Sequence, residues 1–502
     1  MASQDVEENI PLMGDGDAER QDEDYESYKK SDLIDFDPNG DPDNPLEWSQ
    51  SSKRGIVALL AFAGFSVSFN CVSVVPVAGH ISRDLTGTNG ANSITTLLVT
   101  IWELGEAAGP LLIAPLSELY GRYPVINICN MMLITTTFLA AISPSMASLI
   151  ALRALTGMLV TSNVLNPAIV GDIFPPEKRG SAMSVVSFVA LIGGSVGPAV
   201  SGIVVQTFGW RAVLWISFAL ACASALAFFT LCRETYKPSI LRQRAARQGK
   251  KIDDSAIAGL HAHAKQQGGH SSSGLAASIK RPVVVLFGSG VLVALSLFGS
   301  VVYAFFYVIS VTLPRILEEV YGLSPAAIGT AFLSNGIGSS LGICLCRCFV
   351  DRIYIHLRTK NGIGLPEYRM PMMMVGAFMM PLATLLYGWC AAYKMPLALL
   401  LTSVVWLRMS LALSYLPLST YIVDACGLYS ASAMTGLVVM RCLAGAFMPL
   451  LTTFLIGYIG YGWGLTMLSL FTVAVALIPV LVYYYGATWR QSSRFTRTRG
   501  GL

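Results

Sequence analysis

Twelve stretches of this chain are apolar over about the length that crosses a lipid bilayer, and no other feature restricts its fold so tightly. They are residues 55–78, 94–115, 125–142, 149–169, 182–205, 212–231, 283–309, 326–348, 370–391, 396–423, 433–456 and 464–485. A helix of about 20 residues covers the hydrocarbon core. No backbone N–H or C=O can stay unpaired there, so each stretch is read as a helix or part of one. Composition agrees. The 502 residues are 54% hydrophobic and 13% charged, whereas soluble domains carry about 25% charged residues. The expected fold is an all-α membrane protein, with twelve transmembrane helices in two pseudo-symmetric six-helix bundles.

Polar segments divide the chain into an acidic, disordered tail (1–52), a first bundle (53–232), a basic linker (233–282), a second bundle (283–486) and a short tail (487–502). The tail at 1–48 lacks the basic start and short apolar core of a secretory signal. The linker reads as a solvated cytosolic segment, with one short amphipathic helix near 240–248. Its basic residues could lie on anionic lipid. Of the 34 Lys and Arg, only Arg83, Arg211, Arg315 and Lys394 fall on the side opposite the tails, and Arg153, Arg408 and Arg441 fall in spans. The other 27 share the side of both termini, which the positive-inside rule places in the cytosol. The ten cysteines are scattered, and Cys344, Cys346 and Cys348 read as small buried apolar residues rather than metal ligands.

Charges inside spans are costly and so point to function. Glu103 and Glu106 share one face of the second span, and Glu106 either carries a proton within the bilayer, pairs with a structural arginine or sits at the outer rim. For Arg441 a structural pairing is expected. For Arg153 and Arg408, pairing and ligand binding both stand open. Asn70, Trp102, Glu103, Tyr303, Tyr307, Trp406 and Arg408 are the candidate substrate contacts around an apolar, aromatic cavity. In the fifth span Gly193, Gly194, Gly197 and Gly202 let a neighbouring helix approach closely, and Pro198 bends the helix, so this segment is a candidate pivot. Between spans two and three the knot APLSELYGR (114–122) gathers Glu118, Gly121 and Arg122. Glu118 and Arg122 are spaced to pair with each other or to reach a neighbouring helix. Asp351 and Arg352 form a partial copy after the eighth span, and Asp424 closes the tenth, where it could latch a gate.

Taken together these motifs resemble the major facilitator superfamily. Leu116, Glu118, Gly121 and Arg122 match its loop signature, with Glu for the usual Asp and Ala114 for the first Gly. Arg153 with Gly157, and Gly193, Gly194, Gly197, Pro198 and Gly202, are similar to the span-four and span-five antiporter signatures of the fungal twelve-span drug:proton branch. The segments 171–184 and 421–450 also resemble that branch, and the likeness covers about 44–494. One departure is Tyr123–Pro124, where a further basic residue is usual. The resemblance implies that Glu118 and Arg122 latch the inward gate, that Arg153 couples to protons, and that ligand sits between the halves.

The chain is therefore expected to export a small organic compound (a drug, toxin or secondary metabolite) across the plasma membrane by alternating access, in exchange for protons. The alternatives are a facilitated exporter of an anionic metabolite such as an organic acid, and, more remotely, a membrane sensor. No enzyme activity, cofactor, metal or nucleic-acid partner is expected. The partners are the substrate, protons and the bilayer, with the chain acting as a monomer. No P-loop is present, which argues against ATP-driven export.

Overall fold

A computed structural model describes residue 36 and residues 41–87, 92–247, 275–362, 365–426, 430–493 and 495–496. All regular elements among them are helical. In chain order they are α1 (Gln50–Ser73), α2 (Ala78–Thr86), α3 (Asn92–Tyr120), α4 (Arg122–Ala141), α5 (Met146–Met158), α6 (Ser162–Ile173), α7 (Pro176–Phe208) and α8 (Trp210–Leu231). There follow α9 (Lys237–Arg247), α10 (Leu275–Phe287), α11 (Gly290–Glu319), α12 (Pro325–Ala331), α13 (Leu333–Asn361), α14 (Met370–Ala392), α15 (Leu397–Cys426) and α16 (Ser430–Gln491). Short 3₁₀ turns supplement them, one of them at Pro366–Arg369.

Eleven helical stretches are long and apolar enough to cross a membrane, and the last, Ser432–Gln491, runs for 60 residues. It breaks at Gly460 (φ 78°, ψ 174°) into the eleventh and twelfth spans. Gly209 has nearly the same backbone (φ 76°, ψ 173°) between the fifth and sixth spans. Positive φ is strained for residues with a Cβ. The same turn recurs at the same place in both halves, as a duplicated bundle requires. Side-chain hydroxyls cap exposed helix starts. Ser49, Ser145 and Ser324 each accept a backbone N–H from the first turn.

Two of the spans are not continuous. The fourth is broken between α5 and α6, and the eighth between α12 and α13. The halves meet most closely through small residues. Gly202 on α7 faces Gly329 on α12, where a Cβ built on Gly202 would come 3.0 Å from the Gly329 Cα. The other expected pivot glycines act differently: Gly193 and Gly197 receive Phe65 and Phe69 of α1, and Gly194 faces open space.

The expected linker helix is α9, fixed to the bundle by Arg242, whose Nη1 donates to the Leu119 carbonyl at 3.0 Å. Residues 248–274 of the linker and most of the N-terminal tail lie outside the described residues, and the linker's last residues, from Leu275, already belong to α10. One reading needs correcting. Only Cys346 of the alternating trio is buried, and Cys344 and Cys348 are exposed. Residues two apart on a helix cannot share one face, so the trio straddles the packed and outward faces of α13.

Candidate transport site

The second and fourth spans touch backbone to backbone. A Cβ on Gly105, Gly109 or Gly157 would overlap the main chain of the opposite helix. That contact brings Arg153 of α5 under Trp102 of α3, with the guanidinium 4.8 Å from the ring centre. Arg153 donates to the carbonyls of Asn70 and Cys71, each at 2.9 Å. Main-chain acceptors at the end of α1 thus hold its guanidinium. The Asn70 amide itself lies 3.4 Å from the Thr137 hydroxyl.

Glu106 is the hub of the centre. Trp102 Nε1 donates to its Oε2 at 3.1 Å, and Asn163 Nδ2 donates to its Oε1. Arg441 of the eleventh span completes the set, with Nη2 3.3 Å from the same oxygen. Asn163 is the second residue of α6, so the positive end of that helix faces the carboxylate. Arg441 also donates to the Tyr415 hydroxyl at 3.2 Å and lies 4.3 Å over the Tyr303 ring. The pairing expected for Arg441 is thus present, and its acid is Glu106.

Glu103, one turn earlier, is fully buried, and neither carboxylate oxygen has a hydrogen-bond partner among the described residues. The side-chain donor atoms of Glu103, Glu106 and Cys442 lie within 4.8 Å of one another. Such a trio could hold a cation, but the guanidinium of Arg441 already supplies positive charge there.

A cavity of about 500 Å³ lies between the halves, lined in part by this cluster. Of the candidates read from the sequence, Trp102, Glu106, Tyr303, Tyr307 and Arg408 line it, as does Gly194. Asn70, Glu103 and Trp406 stand outside its lining. The Trp406 indole N–H is buried and unpartnered. Arg408 is 7% exposed, and its Nε and Nη1 are buried without a partner. Its guanidinium lies 4.4 Å over the Phe306 ring.

The knot after the second span turns at Gly121 and reaches a neighbouring helix through Arg122. Gly121 has φ +99°, and a Cβ there would collide with the Glu234 carboxylate and approach the Ser239 hydroxyl to 2.7 Å. Glu234, at the start of the linker, accepts the backbone N–H groups of Arg122 and Tyr123 at 2.9 and 3.2 Å. It therefore caps α4 from a distant part of the chain, as an anion at a helix N-terminus should. The Arg122 side chain turns to Ser117 and to Asp172, 3.4 Å away, and stacks over Tyr236 at 4.6 Å. Burial pushes the Tyr236 hydroxyl above its ordinary pKa, so Arg122 faces a neutral ring.

Glu118 is exposed and makes no ion pair or hydrogen bond among the described residues, so of the two alternatives it is the reach to a neighbouring helix that forms, from Arg122 to Asp172 of α6. The reason is geometric: Asp172 and Ser117 hold the guanidinium on the buried side. In the second half Asp424 pairs with Arg369 at 2.7 Å, and Asp351 joins the same arginine at 3.6 Å. Both knots close within their own half. The two ion pairs that join the halves, among the described residues, are Glu106–Arg441 and, on the face opposite the termini, Arg83–Glu318 at 2.7 Å.

Sequence reasoning missed Asn163, Asp172, Tyr415 and Glu234. Asn163 had a signal: Thr161–Ser162–Asn163 followed by Pro167, a helix-start pattern inside an apolar run. Glu234 had none, because its target is more than 100 residues away.

Two helical halves, a cavity between them and a buried charged hub are the arrangement of a membrane transporter. Sequence comparison agrees. Residues 60–449 match the Major Facilitator Superfamily, and the chain belongs to it. It is 32% identical over 475 residues to the MFS-type transporter penM of Penicillium rubens, covering 94% of this chain and 92% of that protein. It is also 32% identical over 473 residues to the efflux pump radE of Floropilus chiversii, covering 94% and 87%. Among solved structures, the xylose transporter XylE of E. coli, in a partially occluded inward-open conformation, superposes with a TM-score of 0.64. That match has 15% identity and covers 87% of this chain and 98% of the other, a likeness of fold alone.

Proposed function

We propose that this chain exports a small organic compound across the plasma membrane by alternating access, with protons moving in exchange. The observation that carries the coupling is Glu103. It is fully buried, neither of its oxygens makes a hydrogen bond among the described residues, and a second carboxylate lies nearby. An ionised carboxylate in such a place lacks both water and partner. In this reading Glu103 carries the proton, while Glu106 stays with Arg441 at the seam between the halves. When the seam opens, Glu103 meets water and its proton leaves. The direction of transport is supported by similarity to a relative named as an efflux pump. The basic side that bears the termini faces the cytosol in this reading, and one chain forms the whole path. Arg122 and Asp424 then act as clasps inside each half, around which the halves move.

A second reading, facilitated export of an organic anion, is favoured by the unpartnered Arg408. One experiment separates the two. Efflux is followed from cells loaded with candidate compounds, with and without a protonophore. Loss of uphill efflux supports proton exchange. Efflux that continues unchanged leaves the facilitated carrier.

A further inference from the structure

We infer that the cargo is an organic anion, a carboxylate or acidic phenol on a flat apolar body, and that its charged end docks on Arg408. This rests on the transport reading in one respect, that the cavity is the path of the cargo. The three charged residues lining the cavity are Glu106, Arg408 and Arg441. Glu106 and Arg441 neutralise each other at 3.3 Å. Arg408 has no carboxylate within 4 Å and no hydrogen bond among the described residues, although it is 93% buried by its 7% exposure.

Arg153 shows what a bracing arginine does in this bundle: it takes two main-chain carbonyls. Arg408 takes none. A buried guanidinium normally forks onto a carboxylate or another oxygen acceptor, so the geometry leaves two of its N–H directions for one. The head group is also held in place. A Cβ on Gly338 of α13 would come 2.7 Å from the Arg408 Cβ, so the stem is pressed from one side. Phe306 carries the guanidinium on the other. Beyond it Tyr303 lies nearly parallel to Phe306, at 28° and 6.3 Å between ring centres, and Tyr303 meets Tyr415 at 5.8 Å. Such walls suit a flat ring system lying against them, with its anionic oxygen at Arg408.

The test uses the full chain in lipid nanodiscs and two probes with one ring system, 2-naphthoate and 2-naphthamide at neutral pH. Binding is read by quenching of tryptophan fluorescence and by the shift in thermal unfolding. The acid is expected to bind about tenfold to a hundredfold tighter than the amide, as a charge-assisted fork does. Arg408→Gln should remove that preference, and Arg408→Lys should retain part of it. Equal affinity for acid and amide in the unaltered protein overturns the inference, as does binding of neither probe. That comparison needs no variant to fold. A neutral probe exported under a proton gradient, with no preference for the acid, would sink the anion dock and leave the export reading intact.

Discussion

Glu106 and Arg441 meet at 3.3 Å across the seam between the halves, one from the second span and one from the eleventh. Both side chains are nearly dry, at 8% and 13% exposure, so removing one partner strands the other's charge. Such loss typically costs about 3–5 kcal/mol, whereas removing both is far milder. Arg441→Gln should therefore lower the midpoint of thermal unfolding in detergent clearly. Glu106→Gln should do so too, because it strands the Arg441 charge and turns an amide NH2 toward one of the two donors, Trp102 and Asn163. The double variant Glu106→Gln/Arg441→Gln should recover much of the loss. Additive losses in the double variant would mean that the two residues do not act as a pair.

Gly121 and Glu234 fix the turn between the second and third spans. Gly121→Ala must hold a Cβ at φ +99° and also displace the carboxylate that caps α4. The strain alone is about 1–3 kcal/mol. Glu234→Ala removes the cap without the strain, at about 1 kcal/mol. The order of stability expected in thermal unfolding is unaltered protein, then Glu234→Ala, then Gly121→Ala. In Glu234→Ala the alanine at 121 should be better tolerated, because the colliding carboxylate is gone. An unchanged penalty there would show that the backbone strain alone matters.

The span count was legible because hydrocarbon leaves a chain little choice: apolar length reports a helix directly. Of the close pair Gly202–Gly329 only Gly202 stood out in the sequence, and the turns at Gly209 and Gly460 did not, because a lone glycine between apolar runs does not show its backbone angle. What the sequence could not tell was partner choice. Arg153 and Arg408 look alike in a row of letters, two arginines in apolar helices. One sits beside the carbonyls left free at the end of α1, and the other beside a ring and a void. The same limit hid Glu234, whose role depends on where the linker begins in space. Glu118 and Arg122 had the right spacing to pair on a helix, but the turn at Gly121 lies between them and sends the arginine inward.

Arg83 and Glu318 join the halves on the face opposite the termini, with about half of each side chain in water at 45% and 41% exposure. A pair this exposed contributes roughly 0.2–1 kcal/mol and weakens with salt. That is small for stability but shifts a two-state equilibrium by about 1.5–5-fold. Arg83→Glu should therefore favour opening on that side with little change in thermal unfolding. The reversed pair Arg83→Glu/Glu318→Arg should restore the starting balance. Distances between spin labels placed on α2 and on the end of α11 would report it. A distance distribution unmoved by the charge reversal would remove this pair from the gate.

Glu103→Gln tests the proton carrier most directly. The amide is nearly the shape of a protonated carboxyl, and the nearby Arg441 keeps Glu106 as its partner, so no charge is stranded. Folding should therefore be spared, with thermal unfolding changed by less than about 1 kcal/mol, as for a substitution that leaves packing intact. Transport should divide into two behaviours. Exchange of labelled for unlabelled compound across proteoliposomes needs only the rocking of the halves, and it should persist. Uphill efflux driven by a pH gradient needs a group that gains and loses a proton, and it should fall at least about tenfold, which corresponds to about 1.4 kcal/mol in the driven step. Glu106→Gln serves as the contrast, because there the Arg441 charge is released as well and both behaviours should suffer. Gradient-driven efflux that survives in Glu103→Gln would move the proton elsewhere, whatever the fate of exchange.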